Sequence, residues 1–280
     1  MKILVTGANG YLGQGIVKQL LDDGVEVIAT DICTTNIDSR AIIFECDLFT
    51  IMDPYFYFGE PEVLLHLAWE NGFVHNATSH ICDLPKHYQF IKSMVDAGII
   101  RLAVMGSMHE IGFYEGSISD VTPANPMSLY GVSKNALRSI VQLLCGEKGI
   151  PYQWLRGFYI VGNSEYGSSI FSKITAAEKK GMKKFPFTSG QNQCDFIDYE
   201  LFCEQVTATI EQEKVCGIIN ICSGRPEKLA DRVERFIREN HYDIVLDYCK
   251  FPDRQYDSKA IWGDNSKIQE IMKIRRNCEK

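Results

Sequence analysis

Tyr130 and Lys134 stand at positions i and i+4, the spacing that puts two side chains on one helix face. An ammonium beside a phenol stabilises the phenolate and lowers the phenol pKa from its ordinary ~10. Such a tyrosine suits proton transfer at neutral pH. Ser107 caps the preceding strand and can donate to the oxygen that Tyr130 protonates. The spacing alone is common, and a tyrosine packed beside a surface lysine is its ordinary explanation. A second group of residues gives the pair a context. Gly7, Gly10 and Gly13 follow an apolar strand and open a helix. Gly7 allows a tight turn, Gly10 lets the backbone approach a diphosphate, and Gly13 permits close helix–strand packing. Asn9, Tyr11 and Leu12 complete the loop, whose helix N-terminus offers amide donors and a positive dipole end. The spacing is Gly-x-x-Gly-x-x-Gly, in place of the more usual Gly-x-Gly-x-x-Gly.

Asp31, followed by Ile32, ends the second strand, where a carboxylate can accept from the hydroxyls of an adenosine ribose. The same charge would repel a 2′-phosphate, so NAD is expected over NADP, with NADH as hydride donor. The plainer alternative makes Asp31 a strand-end turn residue. Asp47 and Leu48 follow the third strand and are candidate adenine contacts.

These residues need a scaffold, and the pattern of the chain supplies one. Strands are expected at Lys2–Thr6, Val25–Thr30, Ala41–Glu45, Glu62–Leu67, Ile99–Met105 and Tyr152–Arg156. Helices are expected at Tyr11–Asp23, roughly His75–Ala97, and Leu129–Lys148. This alternation predicts an α/β fold, a Rossmann-type doubly wound parallel sheet with helices on both faces. After about Gly162 the segments shorten. Helices are expected over Ile170–Lys180, Tyr199–Gln212, Leu229–Asn240 and Lys267–Lys273, with a strand at Ile218–Ile221. The expected division is a dinucleotide-binding domain over 1–162 with returning segments near 191–222. A small C-terminal substrate-binding lobe would take 163–190 and 223–280.

Composition narrows the partners. The 280 residues carry a formal net charge of −7 and one local basic run, Lys179–Lys184. That run reads as a solvated helix end, so no nucleic acid is expected. No stretch approaches the ~20 apolar residues of a membrane span. The ten cysteines form no Cys-x-x-Cys pair and show no metal-ligand spacing with the six histidines. No metal is expected, and the thiols read as free groups in a reducing cytoplasm.

Taken together these motifs resemble the extended short-chain dehydrogenases/reductases, the NAD-dependent sugar epimerase/dehydratase family, over nearly the whole chain. The family's glycine loop matches Gly7, Gly10 and Gly13, and its acidic strand end matches Asp31. Its Asp-Leu matches Asp47-Leu48, and its His-x-Ala signature matches His66-Leu67-Ala68. Its catalytic serine matches Ser107 and its Tyr-x-x-x-Lys pair matches Tyr130 and Lys134. Its Leu-Arg-x-Phe stretch matches Leu155-Arg156-Gly157-Phe158. The resemblance implies catalytic roles for Ser107, Tyr130 and Lys134, and cofactor contacts from Leu67, Ala68, Trp69 and Phe158. It also implies a nucleotide-sugar substrate and a homodimer built on the helices at His75–Ala97 and Leu129–Lys148. Phe90, Met94, Leu137 and Val141 are candidates for that interface, or for the face turned to the sheet.

Departures are equally specific. Cys194 of Cys194-Asp195-Phe196 stands where the family places a phosphate-binding arginine, and Tyr159 where it places an asparagine. Asp83 stands near a position often filled by asparagine. Arg225 and Arg254 are possible replacements for the missing arginine, or simply surface groups. The segments Met105–Gly116 and Phe185–Gly190 look like those of smaller reductases in deoxysugar pathways. The expected reaction is therefore reduction of a nucleotide-linked 4-keto-6-deoxysugar. A 4-epimerase with retained NAD is the alternative. A 4,6-dehydratase fits less well, because Met108-His109 occupies the place of its Asp-Glu pair. A non-catalytic dinucleotide sensor fits least, because Ser107, Tyr130 and Lys134 are all present. The sugar is expected between Trp69, Glu70 and Asn71 on one side and Ser107, His109 and Glu110 on the other, with Tyr159 nearby. His109 and Glu110 equally suit a loop-bonding role. Phe185 and Phe187 are expected to stack on the nucleotide base.

Overall fold

The computed structural model describes residues 1–162, 169–252 and 258–278. β1 (Lys2–Thr6) runs through the glycine loop into α1 (Tyr11–Asp22), followed by β2 (Glu26–Asp31) and β3 (Ile42–Glu45). A short α2 (Pro54–Tyr57) precedes β4 (Val63–His66), α3 (Ser79–Ala97), β5 (Arg101–Ser107) and β6 (Gly116–Ile118). Next come α4 (Leu129–Lys148), β7 (Tyr152–Gly157), β8 (Tyr159–Val161), α5 (Ile170–Lys179) and β9 (Lys184–Pro186). The chain continues through β10 (Gln193–Asp198), α6 (Tyr199–Glu211), β11 (Gly217–Ile221), β12 (Pro226–Lys228) and α7 (Leu229–Glu239). It closes with β13 (Val245–Asp247), β14 (Ala260–Gly263) and α8 (Ser266–Cys278).

Seven strands form one parallel sheet in the order β11-β7-β5-β4-β1-β2-β3. Helices cover both faces, so the central strands have no polar side to keep. Ile3, Leu4 and Val5 are all fully buried. Ile3 and Val5 join the cluster under α1, α6 and α8, and Leu4 joins the opposite one under α3 and α4. The chain winds outward from β1 to β3, then returns to the other side of β1 at β4. The carboxyl ends of β1 and β4 therefore part at the reversal, the crevice where open α/β sheets hold ligands.

α3 begins at Ser79, not near His75. Residues 71–78 form turns instead, with Asn71 left-handed at φ 56° and Val74 N donating to Asn71 O at 2.8 Å. This loop spends its acceptors on α4. His75 O receives Tyr130 N at 2.8 Å and Asn76 Oδ1 receives Leu129 N at 3.2 Å. Phe90, Met94, Leu137 and Val141 are buried in the core cluster against the sheet, so none of them is available to a partner subunit.

The remaining strands are short and join residues far apart in sequence. β12, β10, β14 and β6 pair in that order, β8 adds to β10, and β13 pairs with β9. Ile261 of β14, for example, registers with Gly116 of β6. Apart from β11, none of the strands after β7 was expected from the pattern: β8, β9, β12 and β13 have only three residues each, too few for a readable alternation, and β10 and β14 are paired mainly with partners distant in sequence. They enclose two cores, one around Phe171, Phe196 and Phe236, the other around Ile118, Phe158 and Ile261. Among the described residues no helix is long and apolar enough to cross a membrane.

Candidate active site

The glycine loop is fixed by close packing. Gly7 has φ 70°, and a Cβ there would lie 2.7 Å from Ala68 N. A Cβ on Gly13 would lie 2.2 Å from Gly7 O, so the loop and α1 cannot pack this tightly with any other residue. Gly10 is the N-cap of α1 and provides no side-chain cap. The first-turn amides, with the positive end of the helix dipole, are thus directed at an anion site. Asp31 accepts from Asn9 N at 3.0 Å and Ile32 N at 2.7 Å, and Asn9 Oδ1 accepts from Asn36 N at 2.9 Å. One loop therefore carries an amide cradle and, beside it, a carboxylate. That is the donor set a dinucleotide diphosphate and its adenosine ribose require, so the residues fit NAD. Tyr11 turns its ring onto α6, 4.6 Å from that of Tyr199. Leu67 and Ala68 follow β4 and hydrogen-bond Thr6, which closes the crevice floor. Asp47 caps the turn after β3 by accepting from Phe49 N at 3.0 Å, and Leu48 is buried.

α4 starts at Ser128, whose hydroxyl accepts from Gly131 N at 3.1 Å, and this cap sets where Tyr130 and Lys134 point. The Ser107 side chain lies close enough to the Tyr130 phenol to act on its ionisation. Burial pushes that phenol up to about 12, against the lowering effect of Ser107. The net shift of the phenol is therefore upward, opposite to the expected lowering. Lys134 Nζ donates to Met105 O at 2.9 Å and lies 3.7 Å from the centre of the Trp69 ring, but 5.9 Å from that of Tyr130. Burial lowers the Lys134 ammonium to about 7, partly opposed by Glu110.

Ser107 ends β5 and caps the turn Met108–Glu110. Its Oγ accepts from His109 N at 3.2 Å, and its own N–H donates to Glu110 Oε1 at 2.7 Å. Glu110 is 0% exposed and faces away from the crevice. Its Oε1 also accepts from Trp154 Nε1 at 2.7 Å, and its Oε2 faces Arg138 and Arg156 at 3.6 and 3.7 Å. Glu110 therefore holds the Ser107 loop from below and does not line the cleft. His109 remains at the cleft, with its ring 4.5 Å from His75, 6.1 Å from Tyr130 and 6.4 Å from Tyr159. Burial lowers His109 to about 4, which keeps it neutral at pH 7.

Other expected contacts are moved. Phe158 has its ring buried between Met108, Cys222 and Ile261, leaving only its backbone for a cofactor. Phe187 is buried in the lobe, whereas Phe185 is half-exposed. Asn71 spends its amide on Glu70 Oε1 and Ser79 Oγ. Arg254 lies outside the described residues. Arg225 is exposed, with its amide tied to Ser223 Oγ, and Cys194 is half-buried against both lobe cores. Among the described residues no group of three or more His, Cys, Asp or Glu could hold a metal ion.

Sequence reasoning missed His75, His80 and His87. His75 stacks on Tyr130 with ring centres 5.5 Å apart, while His80 and His87 both pack on Trp69. The available signal was their density: His66, His75, His80, His87 and His109 crowd one stretch of a chain with six histidines.

Comparison with known proteins agrees with this fold. The model of the NAD dependent epimerase/dehydratase family matches residues 3–222. A dTDP-6-deoxy-L-talose 4-dehydrogenase (NAD(+)) of Aggregatibacter actinomycetemcomitans is 40% identical over 269 residues, covering 94% of this chain and 99% of that protein. Among solved structures, UDP-glucose 4-epimerase of Thermotoga maritima superposes with a TM-score of 0.81 at 19% identity, covering 99% and 100% of the two chains. A dTDP-glucose 4,6-dehydratase of Streptomyces venezuelae gives 0.80 at 18% identity, covering 96% and 90%. These two likenesses are of fold alone.

Proposed function

Because the chain belongs to the NAD-dependent epimerase/dehydratase family, we propose that it interconverts the 4-keto and 4-hydroxyl forms of a dTDP-linked 6-deoxysugar. The observation that carries this reading is the Ser107–Tyr130 hydroxyl pair, set at the carboxyl end of the same sheet as the uncapped glycine loop. It stands in a chain 40% identical to a dTDP-6-deoxysugar 4-dehydrogenase. Bound NADH supplies the hydride for reduction at C4. The amides at the start of α1 hold the diphosphate, and Asp31 receives the ribose hydroxyls and excludes a 2′-phosphate. Ser107 donates to the 4-keto oxygen and orients the carbonyl. Tyr130 gives that oxygen a proton as it becomes a hydroxyl, and Lys134 compensates the charge left on the phenolate. Neutral His109 and Tyr159 border the sugar, and half-exposed Phe185 offers its ring to the thymine.

The lobe formed by residues 163–190 and 223–280 would carry the nucleotide end of the substrate. A homodimer would use the outer faces of α3 and α4, where Ile81, Val132 and Leu143 are exposed. A monomeric mass in solution would remove that second proposal.

The test is stoichiometry. With a dTDP-4-keto-6-deoxyhexose the protein should consume one NADH per 4-hydroxy product, and NADPH should serve poorly. Turnover of a UDP-hexose at C4 with no net change in NADH would overturn the reading in favour of a 4-epimerase.

A further inference from the structure

The Lys134 ammonium has an aromatic partner that the spacing of Tyr130 and Lys134 gave no reason to expect. Trp69, on the loop after β4, places its ring centre 3.7 Å from Nζ. That ring is not free to choose its position. Its Nε1 donates to His80 Nδ1 at 3.0 Å, which puts the His80 proton on Nε2, where it donates to Val74 O at 3.0 Å. The same ring stacks on His87 at 4.5 Å and 12°. His87 is in turn fixed by buried neighbours, since its Nδ1 is 2.8 Å from His66 Nε2, and His66 Nδ1 is 2.9 Å from Thr6 Oγ1. Thr6 ends β1, directly before the glycine loop. Thus a chain of hydrogen bonds runs from the cofactor strand to His87, which stacks on the indole, and the indole faces the ammonium.

We propose that Trp69 is a positioning residue for Lys134: its indole face, fixed by His80 and His87, holds the ammonium against Met105 O and keeps it charged. This rests on the reading of Tyr130 and Lys134 as the pair that handles the proton. A cation on an indole face is stabilised most where water is excluded, and Lys134 is 3% exposed. The other groups bearing on Lys134 are Glu110, which favours its charge, and His66 and His87, which burial holds neutral at about 3 and about 2. The indole therefore offsets part of the burial that otherwise discharges the amine. Discharge would deprive the Tyr130 phenolate of its counter-charge, so the rate of reduction should fall on the alkaline side.

Two measurements on the full-length protein test this. The first is the pH profile of kcat/KM for keto-sugar reduction. Trp69→Leu removes the π face and should move the alkaline limb down by about half a pH unit or more, with kcat lowered and KM for the sugar nearly unchanged. Trp69→Phe keeps a ring face while losing the bond to His80, and should restore the limb. A limb unmoved in Trp69→Leu, or moved equally in Trp69→Phe, overturns the proposal. The second needs neither activity nor a stable Trp69→Leu protein. Tryptophan emission of the wild type should show a step near pH 7 that is absent from Lys134→Met. A step that survives in Lys134→Met belongs to a histidine and overturns the proposal, as does no step in the wild type. If no keto-sugar is turned over, the functional reading fails while the emission titration still decides the role of Trp69.

Discussion

Two fully buried carboxylates show how differently the sheet and the lobe are held. Glu110, beneath the end of β5, accepts from the amide of Ser107 three residues before it and from the indole of Trp154, and is charge-balanced by two arginines. Asp195, in β10, accepts from Ser223 N and Oγ, Gly224 N and Gly263 N at 2.5–3.0 Å. Its partners are all backbone or hydroxyl donors, from segments 28 to 68 residues away. Glu110 shapes one turn in a scaffold that packing already determines. Asp195 is itself a scaffold, tying β10 to β14 and to the turn before β12. The sheet should therefore govern chemistry, and the lobe should govern substrate affinity.

The largest effect expected from this division is on rate. Tyr130→Phe should lower kcat by roughly a hundred- to ten-thousand-fold, with NAD affinity within about twofold of the wild type by calorimetry. A fall of less than about tenfold would move proton donation elsewhere, with His109 the first alternative because its ring lies 6.1 Å from that of Tyr130.

Next in size is stability. Asp195→Ala leaves four donors without their acceptor and should cost about 3 kcal/mol or more in urea unfolding. Glu110→Ala strands the buried Arg156 and should cost about 3–5 kcal/mol. The two should separate in function. The folded fraction of Asp195→Ala should show a raised KM for the nucleotide sugar, and Glu110→Ala a lowered kcat through the Ser107 turn. Equal changes in both constants for both variants would erase the distinction between the regions.

The same contrast explains what could be read from sequence. Every strand of the large sheet but its edge strand β11 lies in the first part of the chain, where apolar runs alternate with helical periods, and nearly all their bounds fall within two residues of expectation. The glycine loop and Asp31 were legible because their roles are local: a turn, a helix start, a strand end. The two readings of Glu110, cleft or loop, could not be separated in the sequence because burial decides whether a carboxylate after Ser107 faces the cleft, and burial depends on Trp154 and Arg156 on a neighbouring strand. Phe187 failed likewise, since Phe185 and Phe187 pack on the same core and differ only in how deeply they are buried. The lobe strands have no local signature, because each is stabilised by a partner distant in sequence.

An effect of comparable size belongs to pH, and to the sheet side alone. Burial holds His66 at about 3 and His87 at about 2 in the folded protein, below the ordinary ~6.5. The unfolded chain therefore binds more protons below pH 6.5, and stability must fall as pH drops from there towards about 3. The slope should approach about 1.4 kcal/mol per pH unit for each histidine. Urea midpoints at pH 7.5 and pH 5 measure it, and His87→Phe should remove roughly a third of it, because buried His109, at about 4, adds to the same slope. A flat response between these two pH values would place water, or a stabilising carboxylate, beside the pair.

The smallest effect is the one that tests the lobe's share of binding. Phe185, on β9, is half-exposed, while Phe187, just past the end of that strand, lies in the core with Tyr248 5.6 Å away. If the thymine stacks on Phe185, Phe185→Ala should weaken binding by about 1 kcal/mol, a five-fold rise in KM, with kcat unchanged. The change should vanish when substrates are compared by their binding of the sugar alone, because the ring touches only the base. Phe187→Ala, by contrast, opens a cavity and should cost about 3–5 kcal/mol of stability before any effect on KM can be assigned to stacking. A Phe185→Ala protein with unchanged KM would place the base elsewhere, and the lobe would then serve the sugar and diphosphate alone.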